Sequence, residues 1–425
     1  MWRVAPATVA EAIVAGATFS LVSDFSSMRK RSSVECEPVK GRVRYLNTRL
    51  QDYTGTIFSE MSALAVATGS INLGQGFPDT DGPETIKRAA IRAIEAGHNQ
   101  YPPVDGINEL RTAIAWHQRH YNGLEFSAED EILVTAGATE AIAASLLSLC
   151  EPGDEVVLFE PYYDSYAACT AMAGAHRRVV QLHAPEWSFS RDALESAITD
   201  RTRLILVNTP HNPTGKVFNR AELEIIADAC RRHDLIAVTD EVYEHLVYES
   251  PHVALASLAG MAERTITISS AAKTFSFTGW KVGWACARPE LIRAVRTAKQ
   301  FLTFVNAAPF QYAIAEGLTQ SEEYLVHAAN TLRQKRDLLA AGLDDVGFEV
   351  FASPGTFFLT TDISPLSDKD GYAFCVELAE RCGVVAIPSS VFYDDKAAGA
   401  KLVRWMFSKK TEVLEEAIAR LGRLL

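Results

Sequence analysis

The sequence predicts an α/β protein in which a mostly parallel sheet lies between helices, together with a smaller α+β domain. Its 425 residues are too many for one ordinary hydrophobic core, so two domains are expected. From about residue 130, short β-branched runs alternate with helical patterns, which is typical of a parallel sheet covered on both faces. After about residue 312, long helical patterns with isolated short strands replace this alternation.

The central strands are predicted from short apolar runs that are bounded by turn residues. Turn residues and then helical patterns follow most of them, such as the patterns at 140–149 and 221–233. The five predicted strands are 131–135, 155–159, 203–208, 235–239 and 264–268. Ligands of such sheets bind at the carboxyl ends of the strands, so polar residues that follow these runs are candidates for a site.

The predicted large domain covers residues 76–312, and the predicted small domain combines 46–75 with 313–425. Short strands in the small domain are expected at 348–351 and 383–387. Its helices are expected at 322–346, 372–382 and about 411–425. The two lobes are expected to enclose a cleft.

Residues 1–45 form an extension outside both predicted domains. An apolar stretch at 12–22 precedes three basic residues at 29–31, whereas a secretory signal has its positive charge first. Acidic residues are also present, although transit peptides are poor in them. An arm-like extension and a targeting segment therefore both stay open.

Composition limits the possible partners. A formal charge of −12 argues against nucleic-acid binding, which needs a basic face. No apolar run approaches the roughly 18 residues of a membrane span. The seven cysteines form no CxxC pair, so they are interpreted as packing residues of a cytoplasmic protein, with no disulfide framework and no metal site.

Lys273 is the most informative candidate for chemistry. It follows a predicted buried strand within 270–284, SAAKTFSFTGWKVGW. Partial burial lowers the pKa of a lysine and favours the neutral amine that forms Schiff bases. Considered alone, the segment is equally compatible with an ordinary surface lysine.

Three further candidates follow the neighbouring strands. Asn212 lies in a turn that contains Pro213 and Gly215, which would aim its side chain. Asp240 and Tyr243 follow the next strand, where a carboxylate could keep a heterocyclic nitrogen protonated and a phenol could reach an oxygen of the same ligand. Taken singly, each is also compatible with a plain loop cap or an exposed acidic turn.

Two further candidates lie where predicted strands end. The small residues 135–141, TAGATEA, join a strand to a helix, and such a helix start can bind an anion through free backbone N–H groups. Tyr163 follows another strand, where an aromatic ring could stack on a planar ligand. Packing alone would explain either feature. Together, the candidates supply an amine, a carboxylate, a phenol, an amide, an anion site and a ring at one sheet edge.

With these residues assembled, the chain resembles the class I (fold type I) pyridoxal-phosphate aminotransferases over about residues 50–425. It is most similar to the branch that holds kynurenine/glutamine transaminase K, methionine aminotransferase and N-succinyldiaminopimelate aminotransferase. The resemblance is carried by the segments 72–79, 99–103, 208–215, 240–244 and 270–284, with 384–388 and 403–404.

The resemblance implies a pyridoxal 5′-phosphate cofactor and gives each residue an expected role. Lys273 would be the Schiff-base lysine and then the proton carrier, and Asp240 would pair with the pyridine nitrogen. Asn212 and Tyr243 would bind the phenolic oxygen, and Tyr163 would stack on the ring. Ala138, Thr139, Ser270 and Lys281 would bind the phosphate. Lys281 and Ala272 depart from residues common in the family, and both departures are expected to be tolerated.

The same resemblance implies how substrates and subunits meet. Arg404 would bind the substrate α-carboxylate with two hydrogen bonds, assisted by Gly76 and Asn212. Tyr101 would reach the phosphate of a neighbouring subunit, so the protein is expected to be a homodimer with shared active sites.

The expected reaction moves the amino group of an L-amino acid to a 2-oxo acid, such as 2-oxoglutarate or pyruvate, in a ping-pong sequence. Methionine, aromatic amino acids, kynurenine and N-succinyl-LL-diaminopimelate all stay open as donors. An apolar donor pocket is expected from aromatic residues that would otherwise serve packing: Tyr53, Phe77, Phe301 and Phe304.

Two other reactions and one non-catalytic role are alternatives to transamination. A cysteine-conjugate β-lyase activity at the same site stays open, because it needs the same carbanion chemistry. Ser270 and Lys273 also satisfy the SxxK motif of acyl-transfer enzymes, but the accompanying SDN and KTG motifs do not occur. A non-catalytic effector domain would need a fused DNA-binding segment, for which the extension is too short and irregular.

Overall fold

A computed structural model describes residues 43–320 and 322–425. The contacts divide the chain after Leu46, and residues 47–425 form one compact unit. Within the described ranges, no helix is both long enough and apolar enough to cross a membrane. The expectations for the extension fall on residues 1–45, nearly all of which lie outside the described ranges.

The central sheet has seven strands and is parallel except for one strand. The strands are β2 (Ile132–Thr135), β3 (Glu155–Glu160), β4 (His176–Gln181), β5 (Thr202–Asn208), β6 (Ile236–Asp240), β7 (Thr265–Ser270) and β8 (Gly283–Cys286). Their order across the sheet is β2-β8-β7-β6-β5-β3-β4, and only β8 runs antiparallel to its neighbours. The predicted α/β class and the five predicted strands are therefore confirmed, with boundaries that differ by one or two residues.

Helices connect and cover the strands. In the first part of the chain they are α1 (Ile57–Thr68), α2 (Glu84–Glu95), α3 (Asn108–Asn122), α4 (Ala138–Leu149), α5 (Asp164–Ala173), α6 (Arg191–Ala197) and α7 (Arg220–Arg232). The later helices are α8 (Ala271–Thr274), α9 (Pro289–Leu302), α10 (Ala308–Gln320), α11 (Glu322–Val346), α12 (Gly371–Glu377) and α13 (Thr411–Leu421).

Two smaller sheets lie outside the central one. β9 (Glu349–Val350), β10 (Phe358–Asp362), β12 (Ile387–Pro388) and β13 (Leu402–Met406) form an antiparallel sheet in the order β12-β13-β10-β9. β1 (Ile71–Asn72) pairs in parallel with β11 (Val384–Val385), which joins the start of the compact unit to its C-terminal part. Because residues 47–425 form one compact unit, the division into 76–312 and 46–75 with 313–425 stays a prediction.

Both faces of the central sheet are buried, as alternate residues of one strand demonstrate. In β5, Leu204 and Leu206 pack into the cluster that includes Ile142 of α4. Ile205 and Val207 point the other way, into the cluster that holds the hydrophobic residues of the C-terminal sheets. A strand covered on both faces needs apolar residues at every position. Such strands can therefore be recognised in the sequence as continuous apolar runs.

Two strands of the central sheet have no predicted counterpart, for different reasons. β4 is an edge strand of sequence HRRVVQ with largely exposed side chains, so it carries no continuous apolar run. β8 is buried but short, and it lies within a segment rich in glycine and aromatic residues. β10 and β13 of the C-terminal sheet were also absent from the predicted strands, although both are nearly fully buried.

Helix boundaries follow local sequence chemistry. Asn219 and Glu222 form a capping box at the start of α7, each side chain accepting a hydrogen bond from the other's backbone N–H. The predicted helix 372–382 is interrupted after Glu377, where a π-helical turn continues to Cys382. The last predicted helix ends at Leu421 and is followed by a short 3-10 turn.

Of the seven cysteines, Cys36 lies outside the described residues. The other six are buried and free: Cys150, Cys169, Cys230, Cys286, Cys375 and Cys382. Their interpretation as packing residues is thus confirmed for the described part of the chain. The cytoplasmic location inferred from them stays a prediction.

Candidate active site

A cavity of about 440 Å³ lies at the carboxyl ends of β5, β6 and β7, beside the start of α4. Eleven of the twelve predicted site residues line it: Gly76, Ala138, Thr139, Tyr163, Asn212, Asp240, Tyr243, Ser270, Lys273, Lys281 and Arg404. Tyr101 does not. The fold therefore brings together residues that are up to 328 positions apart in the sequence, from Gly76 to Arg404.

Lys273 lies in the short helix α8, directly after β7. Its Nζ donates a hydrogen bond to the carbonyl oxygen of Gly76 at 2.9 Å. Burial lowers the pKa of Lys273 to about 8; Asp240 opposes this shift, whereas Arg404 and Lys281 add to it. A substantial fraction of the amine is therefore neutral near physiological pH, as a nucleophilic lysine requires.

Asp240 is the last residue of β6 and is buried. Its Oδ2 accepts a hydrogen bond from the hydroxyl of Tyr166 at 2.7 Å, and its Oδ1 accepts a longer one, 3.4 Å, from the backbone N–H of Val242. Burial raises the pKa of Asp240 to about 6, and these two hydrogen bonds limit the rise because they favour the ionised form. The expectation of an ordered carboxylate at this strand end agrees with the geometry.

Asn208 holds the turn that carries Asn212. In the register of the sheet, Asn208 is the partner of Asp240, and its Nδ2 donates to the carbonyl oxygen of Asp240 at 2.8 Å. Its Oδ1 accepts a hydrogen bond from the backbone N–H of Asn212 at 2.7 Å. The turn is closed by the backbone N–H of His211, which donates to the carbonyl oxygen of Lys216 at 2.8 Å. The Asn212 side chain is thus aimed into the cavity by its local structure.

Tyr163 and Tyr243 are neutral phenols on the walls of the cavity. Burial raises the pKa of Tyr163 to about 12 and that of Tyr243 further, so both hydroxyls stay protonated and can donate hydrogen bonds. Tyr163 precedes α5, and its ring meets the ring of Tyr166 edge to face, with centroids 5.7 Å apart. The ring of Tyr243 packs edge to face against Phe357 at 5.3 Å.

Arg404 is a buried cation in the middle of β13. Its guanidinium donates to Oδ1 of Asn212 and to the carbonyl oxygen of Gly74, each at 2.8 Å, and its carbon lies 4.1 Å from the ring centroid of Phe358. Within the described residues no carboxylate forms an ion pair with it, and its Nε has no hydrogen-bond partner. Burial lowers the pKa of Arg404 to about 10. A buried cation without an anion is a site that a ligand carboxylate would complete.

The start of α4 forms an anion site. Gly137 precedes the helix with φ +79°. The first residues of the helix line the cavity, so its free backbone N–H groups and the positive end of its dipole lie there. A Cβ atom on Gly283 would lie 2.6 Å from the carbonyl carbon of Gly137 and 2.8 Å from the backbone N of Ala138, so only glycine lets β8 approach here. Lys281 and the hydroxyls of Ser270 and Thr278 line the same end of the cavity.

These groups fit pyridoxal phosphate by their chemistry. Lys273 offers an amine for its aldehyde, Asp240 a carboxylate for its ring nitrogen, and the start of α4 an anion site for its phosphate. The fit does not depend on any single group, because three different functional groups of one small molecule each find a matching partner in the same cavity.

Several cavity residues were not among the predicted site residues. Asn208 is predicted only as the last residue of a strand, a position that it does occupy. Tyr166 lies three residues after Tyr163, at the start of α5. Residues at this spacing lie on the same side of a helix, so the pattern could have placed Tyr166 near Tyr163. The aromatic residues Phe58 and Phe358 come from α1 and β10, and no sequence signal connected them to the cavity.

The residues expected to form an apolar donor pocket lie in different places in the structure, and the pocket stays a prediction. Phe77 lines the cavity, but the Tyr53 hydroxyl accepts a hydrogen bond from Arg177 at 2.7 Å and lines a second cavity instead. Phe301 and Phe304 are exposed and line neither cavity, because they lie at the end of α9 and just beyond it, away from the cavity of their own chain. The apolar wall is supplied by Phe58, Ile142 and Phe358.

Behind the site, His117, Glu244 and His245 have potential ligand atoms within 4.8 Å of one another. The Nε2 atoms of the two histidines are only 2.6 Å apart, the distance of a direct hydrogen bond. Two nitrogens bound to one zinc ion at about 2.0–2.1 Å would lie farther apart than this. The oxygens of Glu244 accept hydrogen bonds from Ser269 and Asn122. The cluster is therefore a hydrogen-bond network, and the expected absence of a metal site stays a prediction.

Comparison with known proteins identifies the class. The family model of aminotransferase class I and II matches residues 68–421. The chain belongs to this family and is a pyridoxal-phosphate-dependent aminotransferase of fold type I. The resemblance, the fold, the cofactor and the reaction class expected from the sequence are confirmed. The comparisons give no support to the cysteine-conjugate β-lyase alternative.

Individual relatives show which members of the family the chain is similar to. The chain is 51% identical over 389 residues to a probable N-succinyldiaminopimelate aminotransferase of Mycobacterium tuberculosis, covering 89% of this chain and 98% of the relative. It is 38% identical over 378 residues to the methionine aminotransferase of Escherichia coli, covering 89% and 98%. A solved structure of the M. tuberculosis N-succinyldiaminopimelate aminotransferase matches with a TM-score of 0.88 and 51% identity, covering 89% of this chain and all of that one.

The lowered pKa of Lys273 predicts the pH dependence of cofactor attachment. The neutral amine is the reactive form and predominates above the pKa, so the rate at which the apoprotein attaches pyridoxal phosphate should rise through pH of about 8. It should then level off above pH of about 9, whereas an ordinary lysine would still gain reactivity there. Stopped-flow absorbance measures the rate, and borohydride reduction with peptide mapping identifies the lysine.

Lys273→Met serves as the control, because it removes the amine and should abolish attachment. A rate that keeps rising to the pH range of ordinary lysines, or a label on a different lysine, would contradict the assignment.

Proposed function

We propose that the physiological amino donor is N-succinyl-LL-diaminopimelate, with a 2-oxo acid such as 2-oxoglutarate as acceptor. The observation that carries this proposal is the 51% identity over 389 residues to the M. tuberculosis relative with that name. Cavity size also favours a long donor. A second cavity, of about 780 Å³, shares Phe58 and Tyr163 with the first, so there is space beyond the reacting groups for an extended side chain.

Methionine is the second candidate donor. The wall of the catalytic cavity includes Phe58, Ile142, Phe77 and Phe358, and an unbranched apolar side chain would pack well against them. The cations of this cavity are Lys273, Lys281 and Arg404, and all three have proposed roles at the cofactor or the α-carboxylate. A carboxylate at the far end of a donor would therefore need partners outside this cavity.

We assign the cofactor contacts from the chemistry of the residues that line the cavity. Lys273 would hold the cofactor covalently, Asp240 would pair with its ring nitrogen, and Asn212 and Tyr243 would bind its phenolic oxygen. Tyr163 would cover the ring. The phosphate would lie at the start of α4, bound by Ala138, Thr139, Ser270 and Lys281.

The bound cofactor supplies an aldehyde that takes up the amino group and an electron-poor ring that stabilises negative charge at the donor Cα. Arg404 would hold the α-carboxylate with two hydrogen bonds, assisted by Gly76 and Asn212, and thereby orient the Cα–H bond. Lys273, once its amine is released, would remove the proton from that Cα. Its lowered pKa suits a base that works near neutral pH.

A homodimer with shared active sites would complete each site. Tyr101 is 82% exposed and its ring meets that of Phe304 edge to face at 5.5 Å. Phe304 is itself exposed and adopts a left-handed backbone conformation, φ +64°. An aromatic pair held outward in this way suits contact with a second copy of the chain, whose phosphate site Tyr101 would reach.

The donor is tested by steady-state kinetics of N-succinyl-LL-diaminopimelate, methionine and kynurenine with 2-oxoglutarate. We expect kcat/KM for the succinylated donor to exceed the others by roughly ten-fold or more, because contacts to its acyl group would also act in the transition state. Lys273→Ala is the control and should be inactive with every donor. A higher kcat/KM for methionine would replace the first proposal with the second.

Arg404→Lys tests the proposed carboxylate contact. Lysine keeps the charge but loses the two parallel N–H donors, so KM should rise roughly 10- to 100-fold for all amino donors and 2-oxo acids alike. Thermal melting controls for folding. A change confined to one donor would mean that Arg404 selects side chains instead of binding the shared carboxylate.

Hybrid dimers test the proposed role of Tyr101. Mixing subunits that carry Lys273→Ala with subunits that carry Tyr101→Ala should regenerate about a quarter of wild-type activity, because half of the dimers are hybrids with one intact site. The matched control mixes Lys273→Ala with Asp240→Ala, two changes within one chain's own cavity, and should regenerate none. Equal activity in both mixtures would show that Tyr101 does not serve the partner's site.

A further inference from the structure

Tyr166 lines the catalytic cavity, and its hydroxyl contacts the carboxylate of Asp240. It lies in the first turn of α5 and is buried, and its ring packs in the cluster that covers one face of the central sheet. A phenylalanine would fill the same apolar space. The hydroxyl is therefore the part of the side chain that packing does not explain.

The contact of that hydroxyl is short and direct. It donates to Oδ2 of Asp240 at 2.7 Å, whereas Oδ1 accepts only the 3.4 Å hydrogen bond from Val242. Within the described residues no lysine, arginine or histidine forms an ion pair with Asp240. Tyr166 is thus the closest group that favours the charged form of this carboxylate, and it leaves Oδ1 for a ligand.

The direction of the hydrogen bond is fixed by protonation. Burial raises the pKa of Tyr166 well above its ordinary value, so its hydroxyl keeps its proton and acts as a donor toward the carboxylate. The groups that face Asp240 are Tyr166 from α5, Lys273 from α8, and the backbone N–H of Val242 and the carboxylate of Glu241 from its own segment. Burial raises the pKa of Asp240, and loss of the Tyr166 hydrogen bond would raise it further.

We propose that Tyr166 is a positioning residue for Asp240: its hydroxyl keeps the carboxylate ionised and oriented, so that Oδ1 meets the protonated ring nitrogen of the cofactor. This inference rests on the proposed pairing of Asp240 with that nitrogen. Tyr166 would act through Asp240, the carboxylate that its hydroxyl contacts, and would not take part in the reaction itself.

Tyr166→Phe tests the inference through the bound cofactor. With ¹⁵N-labelled pyridoxal phosphate, the ring-nitrogen resonance of Tyr166→Phe should move toward the unprotonated position. The pH midpoint of the cofactor's visible absorption should move upward, since a less electron-poor ring makes the Schiff-base nitrogen more basic. The dissociation constant of the cofactor should also rise, because without the hydrogen bond Asp240 is more readily protonated and pairs less well with the ring nitrogen.

Tyr162→Phe is the matched control. Tyr162 lies in the same segment and its hydroxyl also donates to a carboxylate, that of Asp394, which lines the second cavity. All three signals should stay close to those of the wild type in this variant. Thermal melting of both variants reports any general loss of stability.

A double-mutant cycle with Asp240→Asn separates the possible failures. If Tyr166 acts through Asp240, Tyr166→Phe should add nothing in the Asp240→Asn background. If Asp240→Asn shifts the ring-nitrogen resonance but Tyr166→Phe does not, the inference is wrong and the role of Asp240 stands. If neither variant shifts it, the role of Asp240 fails and the inference fails with it. An equal effect of Tyr166→Phe in both backgrounds would mean that it acts by another route, which also overturns the inference.

Discussion

Arg404 puts a positive charge in the interior of the fold, where no carboxylate of the described residues forms an ion pair with it. Burying an unpaired cation is unfavourable unless other groups take over the role of water. Here two oxygens accept its N–H groups and three aromatic rings, of Phe58, Phe358 and Phe392, surround the guanidinium. The oxygens belong to Asn212 and Gly74, so the charge ties three distant segments to one point.

The contact between Arg404 and Asn212 belongs to a longer chain of hydrogen bonds around the site. The same Asn212 that accepts from Arg404 is held by Asn208, and Asn208 in turn holds the backbone of Asp240. The register of the parallel strands sets Asn208 beside Asp240, and Asp240 beside Ile268, two residues before the end of the strand that leads to Lys273. A continuous path of hydrogen bonds and sheet pairing therefore links Arg404 to the strand that leads to Lys273.

Much of this arrangement could be predicted from sequence because its strands are buried on both faces. Such strands leave continuous apolar runs, and the polar residue that ends each run, as Asp240 does, lies at the shared carboxyl edge. The same logic missed β4, whose exposed edge position leaves no apolar run, and β8, whose shortness hides it. It also missed Tyr166, because a buried tyrosine in an apolar cluster gives no sign of where its hydroxyl points.

Two of the cavity residues that sequence did not predict lie outside the parallel sheet and the helices that cover it. Phe58 and Phe358 come from a helix and from the antiparallel sheet, outside the parallel edge that carries the reactive groups. Their placement depends on how the C-terminal sheets pack against the central one, and such long-range packing leaves no local pattern.

This separation has a consequence for specificity within the family. The reactive groups are fixed by strand register, so the chemistry can stay the same while the walls change. Relatives that are 51% and 38% identical to this chain carry names that refer to different amino donors. Phe58 and Phe77, which line the cavity away from the reactive groups, are therefore the residues that we propose to influence donor choice, together with the space shared with the second cavity. A sequence motif that identifies the reaction therefore does not identify the donor, because the two properties depend on different elements of the fold.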